Sequence, residues 1–321
     1  MNFERDVNYI MAAGAGTRLR PLTSSLRPKP LLPVGEQNRC IDFTINQTKK
    51  AGLASITTGF YGYEVLESYL RDSGWTGVLV KDSGLVGFGS FLEHKNLIKS
   101  FSPENIIISP SDHVHFIDYL ELLSWHKDRQ SKATIVAITP TKDPNDYIQV
   151  DKEDRVISYH DSRQIDDFSM HATGIFCFNA ETLFHEANNY PLSEIRNFDA
   201  TNIFRTIVQN GCAYAYNYTQ HWRDIGTLDR YYEENINLRD ENKTNILVGE
   251  NYLAGSAVLT DCVVLGNVTA GLESRIKRSV IDYGVQIPDN TEIGSKLIED
   301  KNRRIVVTPK GRRIISMESI F

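Results

Sequence analysis

At 321 residues the chain is long enough for two domains with separate cores, and 41% apolar residues without a low-complexity tract mark it as globular throughout. A formal charge of −6, with the basic residues scattered rather than gathered into a tract, speaks against a nucleic-acid partner. No stretch approaches the length of a membrane span and the N-terminus has no cationic lead into an apolar segment, so a cytoplasmic protein without membrane contact is expected.

The first predicted strand, Val7–Met11, runs into Ala12-Ala13-Gly14-Ala15-Gly16-Thr17-Arg18, and Pro28-Lys29-Pro30 follows. Small residues leave backbone N–H groups bare, and successive bare amides form a concavity for anions. Arg18 and Lys29 can balance the charge that shifts as a phosphoanhydride breaks. A dinucleotide fingerprint would need glycine at Leu19, and a Walker loop needs G-K-[ST] after its second glycine. A third kind of triphosphate loop is therefore indicated, the alternative being an ordinary glycine-rich turn beside a strand.

Further predicted strands at 55–60, 77–80, 105–109 and 133–138 alternate with predicted helices near 41–51, 63–71, 91–100 and 119–128, as in a parallel sheet covered by helices. Ligands of such sheets bind beyond the carboxyl ends of the strands. The first loop and Asp112 each follow a strand directly and are expected on the same edge. His113 and His115, two apart, face opposite sides of a strand and do not read as a metal pair. The four cysteines are far apart, with no C-x-x-C spacing, and are expected to be reduced. From 147 to 218 the pattern is less regular, with strands near 156–159, 174–178 and 213–218 and a helix near 201–209. A helix over about 228–239 closes a first domain, residues 1–240, and the polar run Arg239–Thr244 is the linker to a second, residues 245–321.

In the second domain the periodicity changes. Val258, Val264, Ala270 and Ile276 recur every six residues and, after a one-residue slip, so do Ile281, Ile287 and Ile293. Six-residue repeats predict a parallel β-helix in which each coil stacks its aliphatic residue on the next, with glycines 255, 266, 271, 284 and 294 at the corners. Two or three coils fit in this length.

G-A-G-T-R-L-R-P-L-T before P-K-P-L-L-P-V-G resembles the signature of sugar-1-phosphate nucleotidyltransferases, and Arg39-Cys40-Ile41-Asp42-Phe43 narrows the resemblance to the ADP-glucose pyrophosphorylase family. Ser111-Asp112-His113-Val114, Trp222-Arg223-Asp224-Ile225-Gly226-Thr227-Leu228 with Tyr231 and Asn235, and Ile281-Asp282-Tyr283-Gly284-Val285 agree with that family's later blocks, in order. The resemblance implies a Rossmann-like mixed parallel α/β sheet followed by a short left-handed parallel β-helix. It also implies transfer of a nucleotidyl group, adenylyl by expectation from ATP, to a sugar 1-phosphate with release of pyrophosphate. Carried over residue by residue, it gives Ala13, Gly14, Ala15, Gly16, Thr17 and Arg18 contacts to the nucleotide. Arg18 and Lys29 act on the phosphates, and Asp112 and Asp224 hold Mg²⁺, with Asp224 also at the substrate. Asp42 reads as structural, tying a helix start to the loop.

The departures concern the sugar. Where the family has F-x-E-K-P, this chain reads Tyr159-His160-Asp161-Ser162-Arg163, leaving Asp161 to accept sugar hydroxyls and Arg163 to reach the phosphate. The G-T-A-D-A block becomes Gly87-Phe88-Gly89-Ser90-Phe91 and loses its aspartate, while Asp199 survives from the H-D-F-G block as a substrate contact. Glucose 1-phosphate is the default acceptor, a glucose-like cyclitol 1-phosphate its rival, and a non-catalytic regulatory subunit the reading from another class. A homo-oligomer is expected, because a stacked β-helix is a natural subunit contact.

Overall fold

The structure, a computed structural model, describes residues 5–84, 89–139, 146–160, 169–189 and 200–294, and the backbone alone at 303–308 and 311–316. The chain forms two compact units that interleave along the sequence: residues 1–14 with 42–222, and residues 15–41 with 223–321.

The first unit is built on a mixed sheet. Asn105–Pro110, Val7–Met11, Ala54–Gly59 and Val78–Lys81 lie side by side in that order, all parallel. The long Ser169–Asn179 strand then runs antiparallel to Asn105–Pro110, pairing Phe176 with Ile108. It pairs with Ala133–Ile138 as well, and its first residues pair with Tyr147–Val150. One strand can serve two sets of neighbours because its register breaks between Ala172 and Phe176, where Gly174 takes a left-handed backbone at φ 77°. Ala213–Asn217 extends the sheet, parallel to Ala133–Ile138.

The pleat divides each inner strand between two cores. Ile106 and Ile108 join Tyr9, Phe91, Phe178 and Phe204 on one face, while Ile107 joins Tyr119, Leu122, Leu123 and Cys177 on the other. All three isoleucines are fully buried, which is worth roughly 2 kcal/mol each in surface taken from water. Covered on both faces, the parallel strands read as continuous apolar runs rather than alternating ones. Helix α4, Tyr119–Asp128, shows how the ends are fixed. Asp118 caps it by accepting from the N–H groups of Leu120 and Glu121 at 3.0 and 3.3 Å. Burial raises the Asp118 carboxyl, yet the Lys50 ammonium at 3.0 Å and the two capping N–H groups hold it below its ordinary value.

The second unit contains α7, Leu228–Asn237, and a parallel β-helix. Ile246 pairs with Val263 and Val263 with Val280; Tyr252, Thr269 and Gln286 form a second ladder, and Val258, Arg275 and Glu292 a third. Each coil therefore takes 17 residues, two sides of six and one of five. Side chains enforce the same step: Asn245 accepts from the Cys262 N–H, Asn251 from Val268, Ser256 from Glu273 and Asp289 from Leu272, each across a separation of 17. The one-residue slip expected once, before Ile281, thus recurs at the same corner of every coil. It also reassigns the column. Leu259, at 7% exposure, stacks on Ile276 and Ile293, whereas Val258 is 50% exposed.

Corners turn through left-handed residues at matching positions: Asp261 and Arg278, Asn267 and Gly284, Glu273 and Asn290. Of the glycines expected there, Gly284 and Gly294 have that backbone, while Gly271 serves for close approach, since a Cβ would lie 2.6 Å from the Asp289 nitrogen. Past the third coil, Arg303–Thr308 pairs parallel with Ser279–Ile281 and antiparallel with Gly311–Ser316.

Candidate active site

At the carboxyl edge of the sheet Met11 lies level with Pro110, and the Ser111 N–H donates to the Met11 carbonyl at 3.1 Å. The Ala12 N–H is taken by Thr58 Oγ1 at 3.2 Å, from the strand on the other side. The start of the glycine loop and the Ser111-Asp112 segment thus leave neighbouring strands at one edge. Asp112 is partly open, 22% exposed, and its Oδ1 lies 3.8 Å from His113 Nε2.

His113 packs edge-on against Trp222 with ring centroids 5.1 Å apart, and Trp222 stands against His171 at 5.2 Å. Asp224 follows Trp222 by two residues. His115 turns the other way, into the protein. Thr44 donates its hydroxyl to the Pro110 carbonyl at 3.0 Å, so the His115 Nε2–H is the donor in the 3.3 Å contact to Thr44 Oγ1. Burial, with a lesser push from the charge of His113, drives the His115 pKa down to about 3, and the ring stays neutral. Asp42 accepts from the Tyr69 hydroxyl at 2.8 Å on both carboxylate oxygens. It clasps α1, Cys40–Lys50, to α2, Tyr63–Asp72.

In the other unit the loop winds back on itself. Gly16 adopts φ 60° and ψ 31°, and Thr17–Leu19 forms a single 3₁₀ turn. A Cβ on Gly16 would lie 3.0 Å from Lys29 Cβ and 3.2 Å from Thr23 Cγ2, close enough to push those side chains aside, so glycine is favoured on conformation and on space. Thr23 Oγ1 donates to the Gly16 carbonyl at 2.8 Å. Among the described residues the N–H groups of Ala15 and Gly16 donate to no carbonyl and remain open to an anion. Lys29 thereby backs the glycine turn, and Arg18 is exposed beside it.

The W-R-D-I-G-T-L segment is arranged around Gly226. A Cβ there would lie 2.8 Å from Asp224 Oδ2 and 3.3 Å from Arg18 Nη2, so the missing side chain lets this cation and this carboxylate converge. Arg230, in the first turn of α7, donates to Asp224 Oδ2 at 2.7 Å, leaving Oδ1 for a further ligand. Thr227 caps α7 through the Arg230 N–H, and Arg223 pairs with Glu233 at 2.7 Å. Asn235 accepts from the Gly35 N–H and donates to the Tyr231 carbonyl, both at 2.9 Å, pinning the end of the P-V-G segment to the helix. Asp161, Arg163 and Asp199, with Gly87 and Phe88, lie outside the described residues.

A family model described as nucleotidyl transferase matches residues 7–241. The chain belongs to the nucleotidyl transferase family. A second model, described as the GlmU-like C-terminal hexapeptide, matches residues 241–315 of this nucleotidyl transferase. Among its relatives is a glucose-1-phosphate adenylyltransferase of Aliivibrio fischeri, 26% identical over 402 aligned positions that cover 96% of this chain and 98% of the relative. Proteins of the same name from Rhodopirellula baltica, 23% identical over 97% and 89% of the two chains, and Clostridium acetobutylicum, 26% identical over 91% and 86%, are similar too. The Aliivibrio alignment is longer than the 321 residues present here, so that relative carries segments this chain lacks. The resemblance read from the motifs is borne out: the chain is a sugar-1-phosphate nucleotidyltransferase.

Enzymes of this kind use a divalent ion, and the chemistry of the donors fits one. Asp112 and Asp224 offer hard carboxylate oxygens on side chains 22% and 16% exposed, the donor type that Mg²⁺ takes while keeping some of its water. Sequence reasoning missed Arg230, which looks like any charged residue in a helix's first turn; its spacing of six from Asp224 carries no signal without the fold.

Proposed function

We propose that this nucleotidyl transferase moves the adenylyl group of ATP onto glucose 1-phosphate or a glucose-like cyclitol 1-phosphate, with Mg²⁺ held by Asp112 and Asp224. The observation that carries the reading is the convergence of Arg18 and Asp224 over Gly226, beside a glycine turn whose amides stand open. Such a cluster offers an anion both a cation and a carboxylate able to bring a metal. The bound ion would supply charge neutralisation between the α-phosphate and the incoming phosphate.

An oxygen of the acceptor phosphate attacks the α-phosphorus in line, the bond from that phosphorus to the β-bridging oxygen breaks, and pyrophosphate leaves with the electron pair. Ala13 to Thr17 cradle the nucleotide through backbone N–H groups. Arg18 faces the charge that grows on the departing oxygens, and Lys29 completes the clamp. Arg230 holds Asp224 in place by occupying Oδ2. Adenine and glucose rest on the names of the relatives. The cyclitol rival rests on Asp161, Ser162 and Arg163 replacing the family's acceptor motif, with Asp199 as the retained substrate contact.

The meeting of the two family models at residue 241 supports a boundary within Arg239–Thr244, between domains 1–240 and 245–321. No described helix is long and apolar enough to cross a membrane, and a cytoplasmic homo-oligomer completes the reading.

The test is pyrophosphate release by the purified protein with Mg²⁺, across nucleoside triphosphates and sugar or cyclitol 1-phosphates. Turnover with ATP and a glucose-like 1-phosphate is expected. Silence across the panel, with acceleration of a co-expressed active homologue, would replace this reading with that of a regulatory subunit.

A further inference from the structure

Between Arg18 and Lys29 the chain makes a closed excursion with Arg27 at its return. Ser24 and Arg27 exchange backbone hydrogen bonds at 3.0 and 2.9 Å, and Arg27 Nη2 also reaches the Pro21 carbonyl at 3.5 Å. The guanidinium does not end in solvent. It grips both carboxylate oxygens of Asp282 in the third β-helix coil, the Oδ2 contact at 3.3 Å, and lies over the Tyr283 ring at 5.5 Å. Asp282 is 4% exposed on its side chain and Arg27 32%. Tyr283 is backed in turn by Gly266 of the coil below, where a Cβ would lie 3.4 Å from the ring, and the Asp282 Oδ1 accepts the Tyr283 N–H at 2.8 Å.

A buried carboxylate 255 residues away thus holds an arginine two residues before Lys29. Lys29 packs in turn against the turn at Gly16 that presents Arg18. The contact is bidentate, so it fixes orientation as well as distance. Small errors in placing the groups that meet a transition state cost large factors in rate.

Building on the nucleotidyl-transfer reading, we propose that Asp282 is a positioning residue for the reaction: through Arg27 the third β-helix coil sets where Arg18 and Lys29 stand, so the β-helix is part of the catalytic apparatus. It touches no substrate. Its effect should therefore fall on turnover and spare the local fold.

The test uses the full-length protein. Asp282→Asn keeps an acceptor for the Tyr283 N–H and removes only the charge that Arg27 grips. We expect kcat for pyrophosphate release to fall about tenfold to a hundredfold, with ATP affinity by calorimetry changed less than about threefold and Tm nearly unchanged. Asp282→Glu should recover part of the loss, and the exchanged pair Arg27→Asp with Asp282→Arg should exceed either single variant. Asp289→Ala, which removes a rung contact on the same coils, serves as the structural control and should lower Tm without lowering kcat. A folded Asp282→Asn protein with kcat within twofold of the parent would overturn the proposal, as would a kcat loss matched by Asp289→Ala. Should the parent protein turn over no acceptor, the functional reading fails separately. Hydrogen exchange of amides 16–29 with ATP bound then decides, faster exchange in Asp282→Asn supporting the linkage and unchanged exchange refuting it.

Discussion

In the α/β unit a single strand divides its residues between two cores, Ile106 and Ile108 on one face and Ile107 on the other, whereas the β-helix sends Leu259, Ile276 and Ile293 into one shared column. The first plan binds together segments remote in sequence and leaves functional side chains at the strand ends, where the apolar pattern stops. The second binds each segment to the one 17 residues away and has no such ends. The chemistry should therefore be concentrated at a few positions of the loops, and stability in the β-helix spread along the stack.

The sharpest test is at the edge of the sheet. Asp112→Asn and Asp224→Asn should each lower Mg²⁺-dependent pyrophosphate release by about a hundredfold or more, some 3 kcal/mol of transition-state stabilisation, with circular dichroism unchanged. Near-normal rates in either folded variant would remove that residue from the mechanism. In the column, Ile276→Ala should cost about 3 kcal/mol in urea unfolding, because a fully buried residue between two coils leaves a cavity. Val258→Ala, half exposed one residue away from the column, should stay within about 0.5 kcal/mol. Equal losses at the two would mean that the stack uses the other register.

Arg230→Ala frees the carboxylate it holds, and should raise the Mg²⁺ concentration needed for half-maximal rate about tenfold while leaving the saturated rate close to normal. A fall in saturated rate alone would place Arg230 at the substrate instead. The smallest effect is in pH. His115 stays neutral in the folded protein down to about pH 3, while the unfolded chain takes up a proton below about 6.5. The unfolded state therefore binds more protons as acidity rises, and stability falls by about 1 kcal/mol between pH 7 and 5.5. His115→Gln should flatten that slope in denaturant titrations at the two pH values, and an unaltered slope would show the ring reaching water.

Where the pattern was regular, the sequence was readable almost to the residue. Ala133–Ile138 and Tyr119–Asp128 fall where expected, since one is an unbroken apolar run and the other carries Asp118 before a helical stripe. The helix Ala180–Asn189 gives no comparable signal, because it buries just Ala180, Leu183 and Ala187, too narrow a stripe to stand out. Ser169–Asn179 was read only as its second half because its first half is polar and bends at Gly174. At the site, Arg18, Lys29 and Asp224 announced themselves in local motifs, and the Gly226 convergence explains why that glycine belongs to one. Asp282 did not. It stood inside a recognised block, yet nothing local separates an aspartate that grips Arg27 from any polar residue at a coil corner.

The five-residue side of each coil limits how this molecule can be altered over evolutionary time. A duplicated or deleted segment keeps every inward aliphatic residue inward only if it contains 17 residues or a multiple of that number. A grafted coil of three six-residue sides would leave the later rungs facing as they do, but its extra residue would bulge at the one corner that the native coils turn with five. The C-terminal part can therefore lengthen or shorten only by whole steps. Any step inserted before the third coil would carry Asp282 off the level of Arg27, so the number of coils below that contact is set by the loop it serves.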